Sequence, residues 1–209
     1  MLKTIQEKNR NLMIYDIKNP IFSRYGQFHK VVDLKQFEPQ LAQTHQTTPL
    51  EQLTVDLGAD HDVLSYHYFG GQSIQGTLYS GHKQQLDTLE YHNSCELLIA
   101  VEDFVLAVGH RSELSQDYTY DTKHLKGFYV QKGQMIELYP SSLHSEPFEL
   151  ATEGVKVISV TPKKTGRRLK SNQSKGLLTY NTWTLAHQDA QQSDELYVGL
   201  QGRNYSVNY

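Results

Sequence analysis

The sequence is poor in the features that mark secreted, membrane and nucleic-acid-binding proteins. Its 209 residues contain one cysteine, Cys95, so no intrachain disulfide can form. No run approaches the ~20 consecutive apolar residues that a transmembrane helix needs, and no apolar stretch follows Met1 as a signal peptide would require. The net charge of −3 gives no basic surface for nucleic acid. These absences predict a soluble cytoplasmic protein without membrane or nucleic-acid partners.

The sequence is instead rich in short strand-like runs separated by turn residues. About eight such runs follow one another before residue 162, with no long helical period between them. They cover residues 62–69, 73–80, 86–92, 96–102, 104–108, 127–130, 135–139 and 155–161. The two most apolar runs meet at Glu102-Asp103, which is a tight hairpin position. This pattern predicts a mainly all-β fold, an antiparallel sandwich or barrel with few short helices.

Composition divides the chain into three segments. Residues 1–52 are predicted to be an irregular N-terminal segment packed on the barrel, with Asp33 capping a short helix and a loop at 44–49. Residues 53–162 form the predicted barrel. Residues 163–209 are predicted to be a linker and a C-terminal extension that regains strand character at 177–186. The linker begins with the basic run 163–170, which is either a solvated loop or a phosphate-binding patch.

The densest group of potential metal ligands lies between Glu90 and Glu96. Glu90 and His92 are two residues apart, so on a strand both point to the same face. Glu96 is expected at the start of the neighbouring strand, and His144 on a strand across the barrel. Two imidazoles and two carboxylates suit a divalent transition metal such as Mn, Fe, Ni or Zn. The alternative is that each is an ordinary structural or surface side chain, since the sequence has 10 histidines.

These two segments resemble the paired motifs of the cupin superfamily. The first motif is matched by Gly81, Glu90-x-His92, Glu96 and Gly109, and the second by Gly133, Pro140 and His144. Glu90 stands where most cupins have their first histidine, and Ser141-Ser142 replaces the middle glycine of the second motif. The closer resemblance is to ureidoglycolate lyase-like cupins, in Glu90-Tyr91-His92 and in Gly133-Gln134. It implies a cupin-type barrel or jelly roll, a homodimer, and a bacterial family of unassigned function.

Four further side chains are candidates for binding or catalysis. Arg111 could clamp a carboxylate or phosphate of a substrate, or be a surface residue at a strand end. Tyr79 and Tyr139 could donate a hydrogen bond to the substrate, or simply pack in the core. Lys83, together with Glu90, is a candidate acid or base. Cys95 is expected to face away from Glu96 as a buried thiol.

Three functions remain open on these residues. The first is a metal-dependent lyase or isomerase that acts on a small hydroxy or oxo acid, ureido acid or sugar derivative. The second is a non-catalytic cupin that binds a sugar or small acid in a regulatory role. The third is a scaffold and dimer module in which Glu90, His92 and His144 are structural.

Overall fold

The structure, a computed structural model, describes residues 1–42, 50–171, 174–190 and 195–209. The predicted loop at 44–49 therefore lies outside the described residues. The α-helices are α1 Leu2–Lys8, α2 Glu38–Leu41 and α3 Asp60–Phe69. The strands are β1 Ile14–Asp16, β2 Gly26–Val31, β3 Glu51–Val55, β4 Ile74–Gly81, β5 Thr88–His92, β6 Glu96–Ala100, β7 Phe104–His110, β8 Tyr120–Asp121, β9 Lys126–Val130, β10 Gln134–Leu138, β11 Ser142–His144, β12 Phe148–Glu149, β13 Val155–Pro162, β14 Leu177–Thr179, β15 Thr182–His187 and β16 Tyr197–Gln201. None of the helices in these ranges is long and apolar enough to cross a membrane.

The strands build two sheets that face each other. The larger sheet has the order β1-β9-β7-β11-β5-β15-β16-β8, with β12 paired to β7 and β14 to β15. The smaller sheet has the order β2-β10-β6-β13-β4-β3. Most neighbouring strands are antiparallel, and the chain passes repeatedly from one sheet to the other. This arrangement confirms the prediction of a mainly all-β, antiparallel barrel of the jelly-roll kind.

Apolar side chains fill three layers, one between the sheets and one on the outer face of each. Alternation along β7 shows this directly, because Phe104 and Leu106 join the layer between the sheets while Val105 joins the layer outside the larger sheet. Helix α1 and the C-terminal residues cover the outer face of the larger sheet. Burial on both faces explains why β6 and β7 read as continuous apolar runs.

The run 62–69 forms helix α3, so its prediction as a strand is wrong. Asp60 and Asp62 lie in the first helical turn, where carboxylates stabilise the positive end of the helix dipole. Gly70 ends the helix in the left-handed conformation, with φ of +60°. Leu64 and Phe69 then pack on the outer face of the smaller sheet. Aromatic β-propensity misled the prediction, since packing against the sheet decides the local structure.

The hairpin predicted at Glu102-Asp103 is also wrong. β6 belongs to the smaller sheet, between β10 and β13, whereas β7 belongs to the larger sheet, between β9 and β11. The turn therefore carries the chain across the barrel. The Asp103 carboxylate holds it in place by accepting hydrogen bonds from the Tyr129 hydroxyl and from the Lys132 backbone amide at 2.8 Å.

Both ends of the chain contribute to the sheets. The predicted cap is confirmed, because the Asp33 carboxylate accepts a hydrogen bond from the Lys35 amide at the start of a 3-10 helix over Leu34–Phe37. β1 and β2 lie at sheet edges. β15, from the predicted C-terminal extension, lies inside the larger sheet and pairs with β5 from Thr182 to Ala186. Residues 182–186 thus form part of the barrel wall beside Glu90 and His92.

Candidate metal centre

Three strands of the larger sheet place a polar row inside the barrel. Glu90 on β5 pairs directly with His144 on β11 and, on its other side, with Thr184 on β15. His92 pairs with Thr182 in the same way. Directly paired residues point to the same face of a sheet. All five side chains therefore project toward the smaller sheet.

Glu96 approaches this row from the opposite wall. The short connection over 93–95 leads from β5 in the larger sheet to β6 in the smaller sheet. The sequence-based prediction had exchanged two positions, because it placed Glu96 on the neighbour of β5 and His144 across the barrel. His144 is on the neighbouring strand, and Glu96 lies across the barrel. The reason is that β5, β6 and β7 alternate between the two sheets, so β6 does not pair with β5.

The four side chains converge closely enough to share one ion. Glu96 Oε2 lies 3.2 Å from His144 Nε2 and 3.6 Å from His92 Nε2. One ligand atom each from Glu90, His92 and His144 lie within 4.8 Å of one another. Atoms bound about 2.1 Å from one ion would lie roughly 3.0–3.4 Å apart when adjacent and about 4.2 Å apart when opposite. The cluster could therefore hold a metal ion after a small contraction.

Two atoms of this cluster are buried without a hydrogen bond. Glu96 Oε2 and His144 Nε2 contact each other at 3.2 Å but make no hydrogen bond in the described part of the chain, and both residues are only 4% exposed. An unsatisfied buried polar atom costs about 1–3 kcal/mol. The two atoms face each other, so a cation between them would satisfy both. The donor set therefore fits a divalent transition metal.

Hydrogen bonds around the cluster orient its members for this role. His92 Nδ1 donates to the carbonyl oxygen of Asn181 at 2.9 Å, which orients the ring so that Nε2 faces Glu96 and is the nitrogen that would bind an ion. The Ser159 hydroxyl donates to Glu96 Oε1 and leaves Oε2 for the cluster. Such outer contacts hold ligand side chains rigidly and raise their affinity for a metal.

Charges within the cluster shift the pKa values of its members in opposite directions. Burial alone would lower the pKa of His92, but the Glu96 carboxylate outweighs it and raises this pKa to about 9. Burial would raise the pKa of Glu96, yet His144, His92 and the Ser159 hydroxyl bring it down to about 2. Burial raises the pKa of Glu90, with opposing contributions from both histidines. Glu96 is thus the permanent anion of the site, and Glu90 is the carboxyl group closer to exchanging a proton.

Two cavities meet at this cluster. The larger has a volume of about 260 Å³ and is bordered by Glu90, His92, Glu96 and Tyr79 at its inner end. The smaller, of about 20 Å³, is bordered by Glu90, Glu96 and Tyr79 again, with His144 and Glu146. Glu90, Glu96 and Tyr79 therefore separate the two spaces. The arrangement combines possible metal ligands, a carboxyl group and a phenol around one binding space.

The structure brings Tyr79 to the cluster but leaves two other predicted binding residues outside both cavities. The pKa of Tyr79 is raised well above its usual value by burial and then by Glu90 and Glu96, so its hydroxyl keeps its proton and can donate. The Arg111 guanidinium stacks over the Tyr91 ring at 4.1 Å on the outer face of the larger sheet. Tyr139 follows β10 and is not among the residues that line either cavity.

Lys83 lies behind the site and not within it. Its ammonium group contacts the carboxylates of Asp87 and Glu146, both at 2.9 Å. Burial would lower the pKa of Lys83, but Glu146 and Asp87 outweigh it and raise the pKa. Lys83 therefore stays positively charged and can position Glu146, which itself lines the smaller cavity.

Sequence reasoning missed Glu146, which lines the smaller cavity, and included Arg167, which lines the larger one, only as part of a basic run that is either a solvated loop or a phosphate-binding patch. Glu146 lies two residues after His144, and Pro147 favours an extended conformation before it. That spacing could have indicated Glu146 as a partner of His144. Arg167 falls in the basic run 163–170, where no local pattern separates a site residue from its exposed neighbours.

Together, the fold and the cluster define a two-sheeted β-barrel protein with an internal His/Glu site that could hold a metal ion. The chain belongs to a family described as a domain of unknown function (DUF4867), whose profile matches residues 14–205. No curated protein matches the sequence.

Several solved structures with a similar barrel are of oxalate decarboxylase. One concerns a structural element that modulates proton-coupled electron transfer. Another concerns the Mn(II) centres of the Bacillus subtilis enzyme, and a third the substrate binding mode of oxalate decarboxylase. Each is 14% identical to this chain, with a TM-score of 0.37, and the match covers 58% of this chain and 28% of the other. The chain thus spans less than a third of the length of these structures.

Proposed function

We propose that this protein is a metal-dependent cupin enzyme of the lyase or isomerase type. Its substrate is a small hydroxy or oxo acid, ureido acid or sugar derivative. The observation that carries the proposal is the pair of buried atoms without a hydrogen bond, Glu96 Oε2 and His144 Nε2, which face each other beside His92 where the two cavities meet. Mn, Fe, Ni and Zn all suit two imidazoles with carboxylate.

The position of each side chain indicates its role in the proposed site. His92, Glu96 and His144 would hold the ion, since these three residues are buried and Glu90 is half-buried. A bound divalent ion would supply Lewis-acid polarisation of a substrate oxygen. His92 and Glu96 border the larger cavity, so the substrate would enter from there.

Glu90 is the group placed to move a proton. Its carboxylate borders both cavities, so it can contact a substrate in the larger space and Glu146 across the smaller one. As general base, Glu90 would accept a proton from the substrate and return it to the product. The Tyr79 hydroxyl, at the same boundary, can donate a hydrogen bond to a substrate oxygen. The ion pair with Lys83 would hold the Glu146 carboxylate in place at the smaller cavity, which Glu90 also lines.

The substrate subtype, the source and the oligomeric state are proposed from the resemblance to ureidoglycolate lyase-like cupins. A ureidoglycolate lyase-like subtype makes ureido acids the first substrates to assay. We further propose that the protein is a bacterial cytoplasmic homodimer. The edge strands β2 and β3 of the smaller sheet, each paired on one side only, could bind a second copy.

Metal analysis of the purified protein tests this function. We expect close to one equivalent of a transition metal per chain, or a rise in melting temperature when Mn, Fe, Ni or Zn is added to stripped protein. A chain that carries no metal and whose melting temperature does not change with any of the four would contradict the proposal. Turnover of ureido acids, hydroxy acids and sugar derivatives would then be assayed with the loaded protein.

A non-catalytic cupin that binds a sugar or small acid is the second candidate. The wall of the larger cavity supports it, because hydroxyl and amide side chains there can bind a polar ligand without reaction. Ligand-dependent melting shifts without turnover of any ligand that causes them would favour this function over the enzyme.

A further inference from the structure

The larger cavity has a hydroxyl-rich wall. Besides the ligand cluster, it is lined by Thr77, Ser159, Thr161, Thr165, Thr182 and Thr184, with Gln52 and Gln75. The side chains of Thr77, Thr161 and Thr184 make no hydrogen bond to another group in the described residues, so they can bind a ligand. At about 260 Å³, the cavity is smaller than the roughly 300–1,000 Å³ of sites for drug-sized ligands. These properties suit a small molecule that carries several hydroxyl groups.

Arg167 lines this cavity from a turn that is held on two sides, and the residue is exposed to solvent. The backbone of the turn bonds to the β14–β15 connection, because Gly166 N donates to Tyr180 O at 3.0 Å and Tyr180 N donates to Arg167 O at 2.8 Å. Gln75 binds the same turn, as its amide donates to Thr165 O at 3.0 Å. Arg167 thus lines the cavity from a backbone that hydrogen bonds hold in place.

Once a divalent ion is bound, the positive charge of Arg167 is not balanced by the other charges of the described cavity lining. The described lining includes two carboxylates, Glu90 and Glu96, and one guanidinium, Arg167. A doubly charged ion balances the two carboxylates, and His92 is neutral when its Nε2 binds a metal. One positive charge then remains at Arg167. A ligand with a single negative charge would make the filled cavity electrically neutral.

We propose that the ligand of this cavity is a small hydroxylated carboxylic acid whose carboxylate is bound by Arg167. This inference rests on the proposed function, because the charge balance requires the metal. The guanidinium forms paired hydrogen bonds to the carboxylate, which fixes the orientation of the ligand. The hydroxyl groups at the other end of the ligand then reach the ion and Glu90. Arg167 is thus the residue that determines specificity for acids over neutral polyols.

The test is calorimetric titration of metal-loaded protein with matched acid and alcohol pairs. The pairs are glycolate with ethylene glycol, glycerate with glycerol, and threonate with threitol. We expect at least one acid to bind more tightly than its alcohol. In Arg167→Gln, the affinity for that acid falls by roughly 10–100-fold, as expected for the loss of a hydrogen bond to a charged group, and Arg167→Lys recovers part of it. Alcohol binding stays unchanged in both variants.

Arg168→Gln is the matched control. Arg168 is the adjacent arginine, its side chain is 89% exposed, and it contacts Glu195 at 3.4 Å outside the cavity. This variant should change acid affinity by less than about threefold, because Arg168 does not line the cavity and an exposed charge outside it acts on the ligand only weakly. An equal loss of acid affinity in the Arg167 and Arg168 variants would overturn the proposal, because the loss would then come from the general surface charge and not from a contact with Arg167. Glycerol 3-phosphate that binds more tightly than glycerate, and depends on Arg167, would overturn the assignment to a carboxylate.

Metal content measured on the same samples separates the two possible failures. If the protein holds its metal but binds none of the acids, or binds acids and alcohols equally, the inference about Arg167 is wrong and the metal site stands. If no metal is bound under any condition, the proposed function fails first.

Discussion

Replacement of His144 by alanine should remove most of the stabilisation that a metal gives this protein. His144 Nε2 is buried, lies 3.2 Å from Glu96 Oε2 and has no other partner in the described structure. The change removes one ligand atom and leaves the rest of the cluster in place. The quantity to compare is the difference in melting temperature between metal-loaded and metal-free protein, measured separately for each variant. The cost of the cavity left by the side chain then cancels.

The expected magnitudes follow from mass action. A metal at about 100 times its dissociation constant stabilises the native state by about 2.7 kcal/mol. For a chain of 209 residues, each kcal/mol moves the melting temperature by roughly 2–4 °C, so the rise is about 5–11 °C. Loss of an outer contact to a ligand already weakens metal binding by about 10–100-fold, so loss of a ligand should weaken it by at least ~100-fold. At the same metal concentration, the rise then shrinks to about 1–2 °C.

Differential scanning fluorimetry with stripped and reloaded protein gives this comparison directly. His67→Ala is a suitable control, because His67 is an exposed histidine on α3, far from the cluster in the fold. It should retain the full metal-dependent rise. A rise in His144→Ala equal to that of the unmodified protein would refute the assignment of His144 as a ligand.

Substitutions at three further positions separate ligand, orientation and packing roles. Glu90→Gln should keep metal affinity within about tenfold, less than the loss of a true ligand, and should abolish turnover; loss of the metal in a direct titration would make Glu90 a ligand. Asn181→Ala places alanine at φ of +60°, at a cost of about 1–2 kcal/mol. It should also loosen the contact that orients His92, weakening metal binding by about 10–100-fold, whereas Asn181→Gly should avoid the backbone strain and melt at a higher temperature than the alanine variant. Gly109→Ala would bring its Cβ to 2.0 Å from the Tyr120 hydroxyl, so urea unfolding should show a loss of about 1–3 kcal/mol, and an unchanged midpoint would contradict this packing.

Local periodicity was sufficient for the features that depend on a single strand. The two-residue spacing of Glu90 and His92 predicted their common face, and the pairing of β5 with β11 and β15 places both inside the barrel. The all-β class also followed from short runs at close spacing. Cys95 was expected to face away from Glu96, and its thiol donates to Tyr68 O and packs in the layer outside the smaller sheet.

Features that depend on long-range pairing could not be predicted in the same way. Glu96 and His144 were assigned to each other's wall, because nothing in a strand's own sequence tells which sheet it joins. The helix over Asp60–Phe69 was mistaken for a strand, since its stability comes from a glycine cap and from packing on a distant sheet. Tertiary contacts override local propensity in such cases.

For the candidate binding residues too, the residue type could be read from the sequence, but the position in the fold could not. Arg111 was a reasonable candidate by residue type, but its side chain stacks on Tyr91 outside the barrel. Lys83 reaches the site only through Glu146. Arg167 enters the cavity wall because the turn that carries it is tied to the β14–β15 connection, which lies next to β5 only in the folded sheet. No spacing in the sequence carries that information.

The most direct test of the central claim is anomalous X-ray diffraction from crystals of metal-loaded protein. We expect a single strong anomalous peak between the two sheets, about 2.0–2.3 Å from His92 Nε2, His144 Nε2 and Glu96 Oε2. Crystals that diffract well but show no peak between these three atoms, or that bind the metal only elsewhere on the chain, would contradict the account.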